Sequence, residues 1–305
     1  MEKPIIKMAL VLPLILTAAS GMAVAQTASP TPVAAVIEDN AQERINQASQ
    51  LRVLTQKIPA AVCHLNRSIA PEESANVLVK AVSDFEQILT ALEFGDADLN
   101  IAAPETRPRS LAAIHELRAQ WQPVQAAATA VINGTATQED LRYVMLENQV
   151  VLDAAQRTLE EMTQQYANPN AVTFASLFMI DLAGRQMLLV QKIGKEACLW
   201  SSTPPVADVR EELAESVRIF EATMEALRFG MPALGIGAPP NAEIQEELEA
   251  ALNEWNAVKP IVTGIIAGER FDTATGTIKY KGLDAAMHHM DRVVTMYVAA
   301  AAPSY

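Results

Sequence analysis

Few residues in this chain could do chemistry, and their spacing narrows what that chemistry is. Cysteine occurs at Cys63 and Cys198, and histidine at His64, His115, His288 and His289. On a helix, adjacent His288 and His289 point about 100° apart, so they do not form the i, i+4 pair that chelates a metal. There is no H-E-x-x-H, no pair of E-x-x-H helices and no C-x-x-C-H. That argues against a zinc protease, a di-iron bundle and a c-type haem bundle. Gly235-Ile236-Gly237 follows no strand pattern, so it is a loop and not a nucleotide fingerprint. No Ser-His-Asp or Cys-His constellation can be argued from spacing. The expectation is a non-enzyme without metal or cofactor, with its histidines on helix surfaces.

The elements that position these residues are written twice. Ile45–Leu65 and Ile180–Trp200 align at an offset of 135 with 7 of 21 positions identical, Cys63/Cys198 and Gln56/Gln191 among them. Phe85–Gly95 and Phe220–Gly230 keep that offset with 6 of 11 identical, and Trp121–Gly134 and Trp255–Gly268 follow at 134 with 5 of 14. Ordered blocks at one spacing mean a tandem duplication. Val77, Val82, Phe85, Ile88, Leu89 and Leu92 follow the three-and-four rhythm of an amphipathic helix. Aromatics are only 5% of a chain that is 50% apolar, which favours helix on helix over a β-sandwich. The fold class is therefore all-α, two tandem antiparallel four-helix bundles, over 40–167 and 171–301.

In unit one, Pro71 opens the second helix, Gly95 ends it, Ser110 caps the third, and Thr137 with Asp140 forms a capping box for the fourth. Pro59, Pro123 and Pro260 are expected to kink or break their helices. A short extended piece is expected at Thr277–Tyr280. Trp121/Trp255 and Phe94/Phe229 read as core plugs at the bundle ends.

Residues 1–25 read as a secretory signal. Lys3 and Lys7 precede an apolar stretch from Met8 to Ala19, and Ala23-Val24-Ala25 is a small-x-small cleavage site. Residues 26–39 are a flexible lead-in, and no later stretch reaches spanning length. The expected location is periplasmic or secreted. The net charge of −13 disfavours nucleic acid and anionic membrane surfaces as partners.

The two first-helix blocks resemble the start of the NarX/PilJ-like sensor domain, the extracytoplasmic module of nitrate sensor kinases and type IV pilus chemotaxis transducers. The family pattern resembles I-N-x-A-G-x-x-R-M-L-(S/T)-Q-(K/R). Unit two carries Ile180-Asp181-Leu182-Ala183-Gly184 with Leu189, Gln191 and Lys192; unit one carries Ile45-Asn46-Gln47-Ala48 with Arg52, Leu54, Thr55, Gln56 and Lys57. The resemblance implies a four-helix bundle whose first helix packs on an equivalent helix. It also implies an arginine that binds nitrate at that seam, and this arginine falls on Arg52. Its equivalent in unit two is Met187, a departure that fits a pseudo-dimer with one functional half. Arg52 offers a planar fork of donors matched to nitrate, nitrite or carboxylate. Ser49 lies one turn back, and Gln56 one turn on with its repeat mate Gln191; these complete the candidate ligand set.

Arg52 and Cys63 share a helix face, eleven residues being three turns plus about 20°. If the two first helices pack as pseudo-symmetry mates, Cys63 and Cys198 meet near the axis, and an exported compartment permits a disulfide. Two separately buried thiols are the other reading. The functional expectation is an exported sensor-type module for a small anion. The alternative is an interaction module docking on a pilus protein, a chemoreceptor, a membrane sensor or another envelope component, without a small ligand.

Overall fold

The computed structural model describes residues 40–166, 174–202, 206 and 208–301. The expected signal segment, the lead-in before Asn40 and the join after Tyr166 lie outside the described residues. Within them the fold is all-α. Unit one comprises α1 (Ala41–Asn66), α2 (Pro71–Phe94), α3 (Pro108–Ile132), α4 (Gln138–Leu146) and α5 (Asn148–Tyr166). Unit two comprises α6 (Phe174–Trp200), α7 (Val209–Phe229), α8 (Ala242–Ile266) and α9 (Thr273–Ala301).

Each unit closes on the same aromatic layer. Trp121 stacks on Phe85 with ring centroids 4.0 Å apart, and Trp255 meets Phe220 at 5.0 Å. Each indole N–H, otherwise an orphan donor in the core, donates to a glutamate one residue beyond that phenylalanine: Glu86 in unit one, Glu221 in unit two. The loops after α2 and α7 also repeat. Each turns on a positive-φ glycine, Gly95 at +84° and Gly230 at +75°, and closes with one antiparallel bridge, Asp96 to Ile101 and Met231 to Ile236. A Cβ on Gly230 would sit 2.8 Å from the Ala238 amide nitrogen, so both backbone angle and space demand glycine.

Several expectations need correction. The Thr137–Asp140 capping box is present, but the fourth helix of unit one breaks at Glu147 into α4 and α5. The third helix begins at Pro108, with Ser110 buried inside its first turn rather than capping it. Thr277–Tyr280 is helical, because Gly276, Lys279, Leu283 and Ala286 face the core at helical spacing. Pro59, Pro123 and Pro260 each lie within a helix that continues past them. The tryptophans are core, but Phe94 and Phe229 are 61% and 63% exposed. His64 is buried, unlike the helix-surface residue expected.

The first helices α1 and α6 pack side by side and parallel. Their register is that of the repeat: Cys63 lies against Cys198, and Ser49 against Gly184. Val53 and Cys63 of α1 join the core of unit two across this seam.

Candidate functional site

Buried polar groups and a disulfide line the α1/α6 seam. At the top, Arg52 is 2% exposed. Its Nη2 donates to Ser49 Oγ and to Asp181 Oδ1, both at 2.9 Å, and its Nη1 to Gln156 Oε1 at 3.0 Å. Asp181 belongs to α6, so this ion pair crosses from one unit to the other. Its second oxygen accepts from Arg185 Nε at 2.8 Å. Burial pulls the Arg52 pKa down, and the Asp181 carboxylate works against that pull. Gly184 makes room: a Cβ there would lie 3.2 Å from Ser49 Oγ.

One level lower, Lys195 Nζ donates to Asn148 Oδ1 at 3.3 Å, and Asn148 donates to the Thr55 carbonyl. Burial pushes Lys195 down to about 8. Glu196 beside it is pushed up by burial, though Lys192 opposes this. Further along the seam is the Cys63–Cys198 disulfide, with Cα atoms 6.2 Å apart. From α9, Lys279 is fully buried, donates to the Gly194 carbonyl at 3.1 Å and lies over the Phe271 ring. Burial first, and Arg67 second, push it down to about 7. His64 is held well below its ordinary value by burial and by the charges of Lys279 and Arg67.

Of the expected ligand set, the structure brings Ser49 to Arg52 and leaves the glutamines apart. Gln56 is fully buried with its amide nitrogen 3.4 Å from Thr55 Oγ1, and Gln191 donates to the Met287 sulfur. Met187, the repeat mate of Arg52, is a buried apolar residue. The partners missed from sequence are Asp181 and Gln156. A signal for Asp181 existed: a helical side chain leans toward its own N-terminus. A long Arg52 therefore reaches the level of Asn46 and Ser49, where the parallel partner carries Asp181 and Gly184.

Asp181 Oδ1 and Ser49 Oγ share Arg52 Nη2, and Gln156 Oε1 accepts from Nη1. Both terminal nitrogens of the Arg52 fork thus have protein acceptors. Among the described residues no cluster of His, Cys, Asp and Glu could hold a metal, and no helix is long and apolar enough to cross a membrane.

Two duplicated helical units are thus joined along their first helices, with a buried cation on the joint. The family of type IV pili methyl-accepting chemotaxis transducer N-terminal domains matches residues 36–145 and 179–278. The chain belongs to that family, as two tandem copies. No curated protein matches it.

Proposed function

We propose that the chain is an exported sensor-type binding module in which a small anion, nitrate or nitrite, exchanges with the Asp181 carboxylate on Arg52. The observation that supports this is the buried Arg52 guanidinium held at the seam of the two first helices by a carboxylate from the other unit. A planar anion satisfies the same donors as that carboxylate. Exchange would release Asp181 to Arg185 and solvent and loosen the link between α1 and α6, which is a change a partner can read.

The test is thermal unfolding of residues 26–305 with nitrate, nitrite, chloride and sulfate at matched ionic strength. A ligand at 100 times its Kd adds ~2.7 kcal/mol of stability. Nitrate or nitrite should stabilise, Arg52→Ala should abolish the effect, and Asp181→Ala should strengthen it. Equal shifts with all four salts, or none, would reject the site.

A second reading is an interaction module docking on a pilus protein, a chemoreceptor or another membrane sensor. The exposed Phe94 and Phe229, at equivalent places in the two units, favour it. Capture of such a partner by the wild type and not by Phe94→Ser/Phe229→Ser would support it.

A further inference from the structure

A cleft of about 260 Å³ opens beside the seam, where α6 meets α7 and the ends of Arg52 and Gln156 reach across from unit one. Gln186 lines it and is fully buried. Neither amide atom of Gln186 has a hydrogen-bond partner among the described residues, and neither does Nε of Arg52, a residue that also lines the cleft. An unpaired buried amide is costly, and the repeat shows that the position does not require one: the equivalent residue in unit one is Leu51, fully buried in the core. Unit two has put a two-way hydrogen-bonding group where its twin has a hydrocarbon.

The chemistry of these groups selects the ligand. Gln186 offers one acceptor oxygen and a donor NH2, and Arg52 Nε offers one more donor. An inorganic anion or a carboxylate could take the donors but would leave the Gln186 oxygen bare. A primary carboxamide answers both halves of Gln186 at once, as a cyclic pair of N–H···O bonds. Its carbonyl keeps a second lone pair for Arg52. Charge points the same way. Arg52 and Arg185 are already balanced locally by Asp181 and Glu160, so a neutral ligand enters without upsetting the site. The remaining walls include Leu189 and Ile219, which suit a short aliphatic stem.

We infer that this cleft binds a short-chain aliphatic primary carboxamide through Gln186. The inference rests on the chain being a ligand-binding module, but not on anion exchange at Asp181. Isobutyramide is the probe, and isobutyrate, its near-isosteric acid, is the control. Thermal unfolding of residues 26–305 should rise saturably with isobutyramide and stay flat with isobutyrate at matched ionic strength. Gln186→Leu should raise the melting temperature of the ligand-free protein and erase the isobutyramide shift, while any nitrate shift stays as in the wild type. Ile219→Trp, at an exposed rim position, should block the cleft and erase the same shift.

No isobutyramide shift in the wild type, an equal shift with isobutyrate, or a shift retained in both variants would overturn the inference. A nitrate shift without an isobutyramide shift would sink this inference alone. An isobutyramide shift without a nitrate shift would sink the anion reading alone.

Discussion

Removing Asp181 should hurt this protein more than removing the arginine it holds. Asp181→Ala strands a guanidinium that is 2% exposed. Breaking a buried pair by deleting one partner costs about 3–5 kcal/mol. The lower end applies, because the Asp181 side chain is 30% exposed and Arg52 keeps Ser49 and Gln156 as acceptors. About 3 kcal/mol corresponds to a fall in melting temperature of roughly 6–12 °C for a chain of this size. Arg52→Met copies the residue at the equivalent position of unit two. It leaves Asp181 with Arg185 and some solvent, so no charge is stranded, and about 1 kcal/mol or less is expected. The double variant should resemble Arg52→Met alone. Calorimetry on the four proteins closes the cycle, with an expected coupling of about 2–3 kcal/mol. Arg52→Met being the more destabilising single change would refute the reasoning, as would additive single effects.

Lys279 makes a prediction about pH. Its folded pKa of about 7 lies below the ordinary 10.5, so between those values the unfolded chain binds a proton that the folded chain refuses. Stability should therefore fall as pH drops from about 10 to 7, by on the order of a few kcal/mol, with His64 adding a further loss below about 6.5. Lys195, at about 8, contributes to the same fall, so Lys279→Met should reduce the slope without abolishing it in urea titrations across the range; parallel curves for the two proteins would contradict it. Reducing the disulfide, which spans a sequence separation of 135, should cost about 5 kcal/mol by loop entropy. An unchanged melting temperature in dithiothreitol, with thiol labelling proving reduction, would count against this. Two glycines near the packing of α9 should respond oppositely to alanine. A Cβ on Gly282 would collide with Val258, so Gly282→Ala should destabilise by about 1–2 kcal/mol. At Gly194 the nearest contact is Leu283 at 3.5 Å, so Gly194→Ala should stabilise by about 0.5–1 kcal/mol. Equal signs for the two would overturn this account.

What could be read from the residues follows from what repeats. α1/α6, α2/α7 and α3/α8 each carry a duplicated block, and each block marks residues that fill the same core twice, such as Phe85/Phe220 and Trp121/Trp255. The fourth helices share no such block. There the capping box at Thr137 was legible, while the break at Glu147 carries no Pro or Gly to announce it. Thr277–Tyr280 misled because Thr, Ile and Tyr favour strands locally, whereas burial of Lys279 and Leu283 decides for helix. At the seam, Arg52 and Ser49 were legible from the motif. Asp181 needed the parallel register of two helices, which one helical wheel does not contain. Gln186 belongs to no motif, and only the comparison with buried Leu51 shows how unusual its place is.

The in-register pairing of α1 with α6 has a consequence for how such a protein can change. In a homodimer every substitution at the axis arrives on both sides at once, so a charge placed there meets its own copy. Here the two sides are separate stretches of one gene. Arg52 faces no second arginine, Asp181 faces no second aspartate, and Gln186 arose without disturbing Leu51. The joint also survives dilution, because its two halves share a backbone and a covalent bridge. A receptor assembled from two chains reports its own concentration together with that of its ligand. This chain carries a single asymmetric joint per molecule, whose closure does not depend on the protein's own concentration.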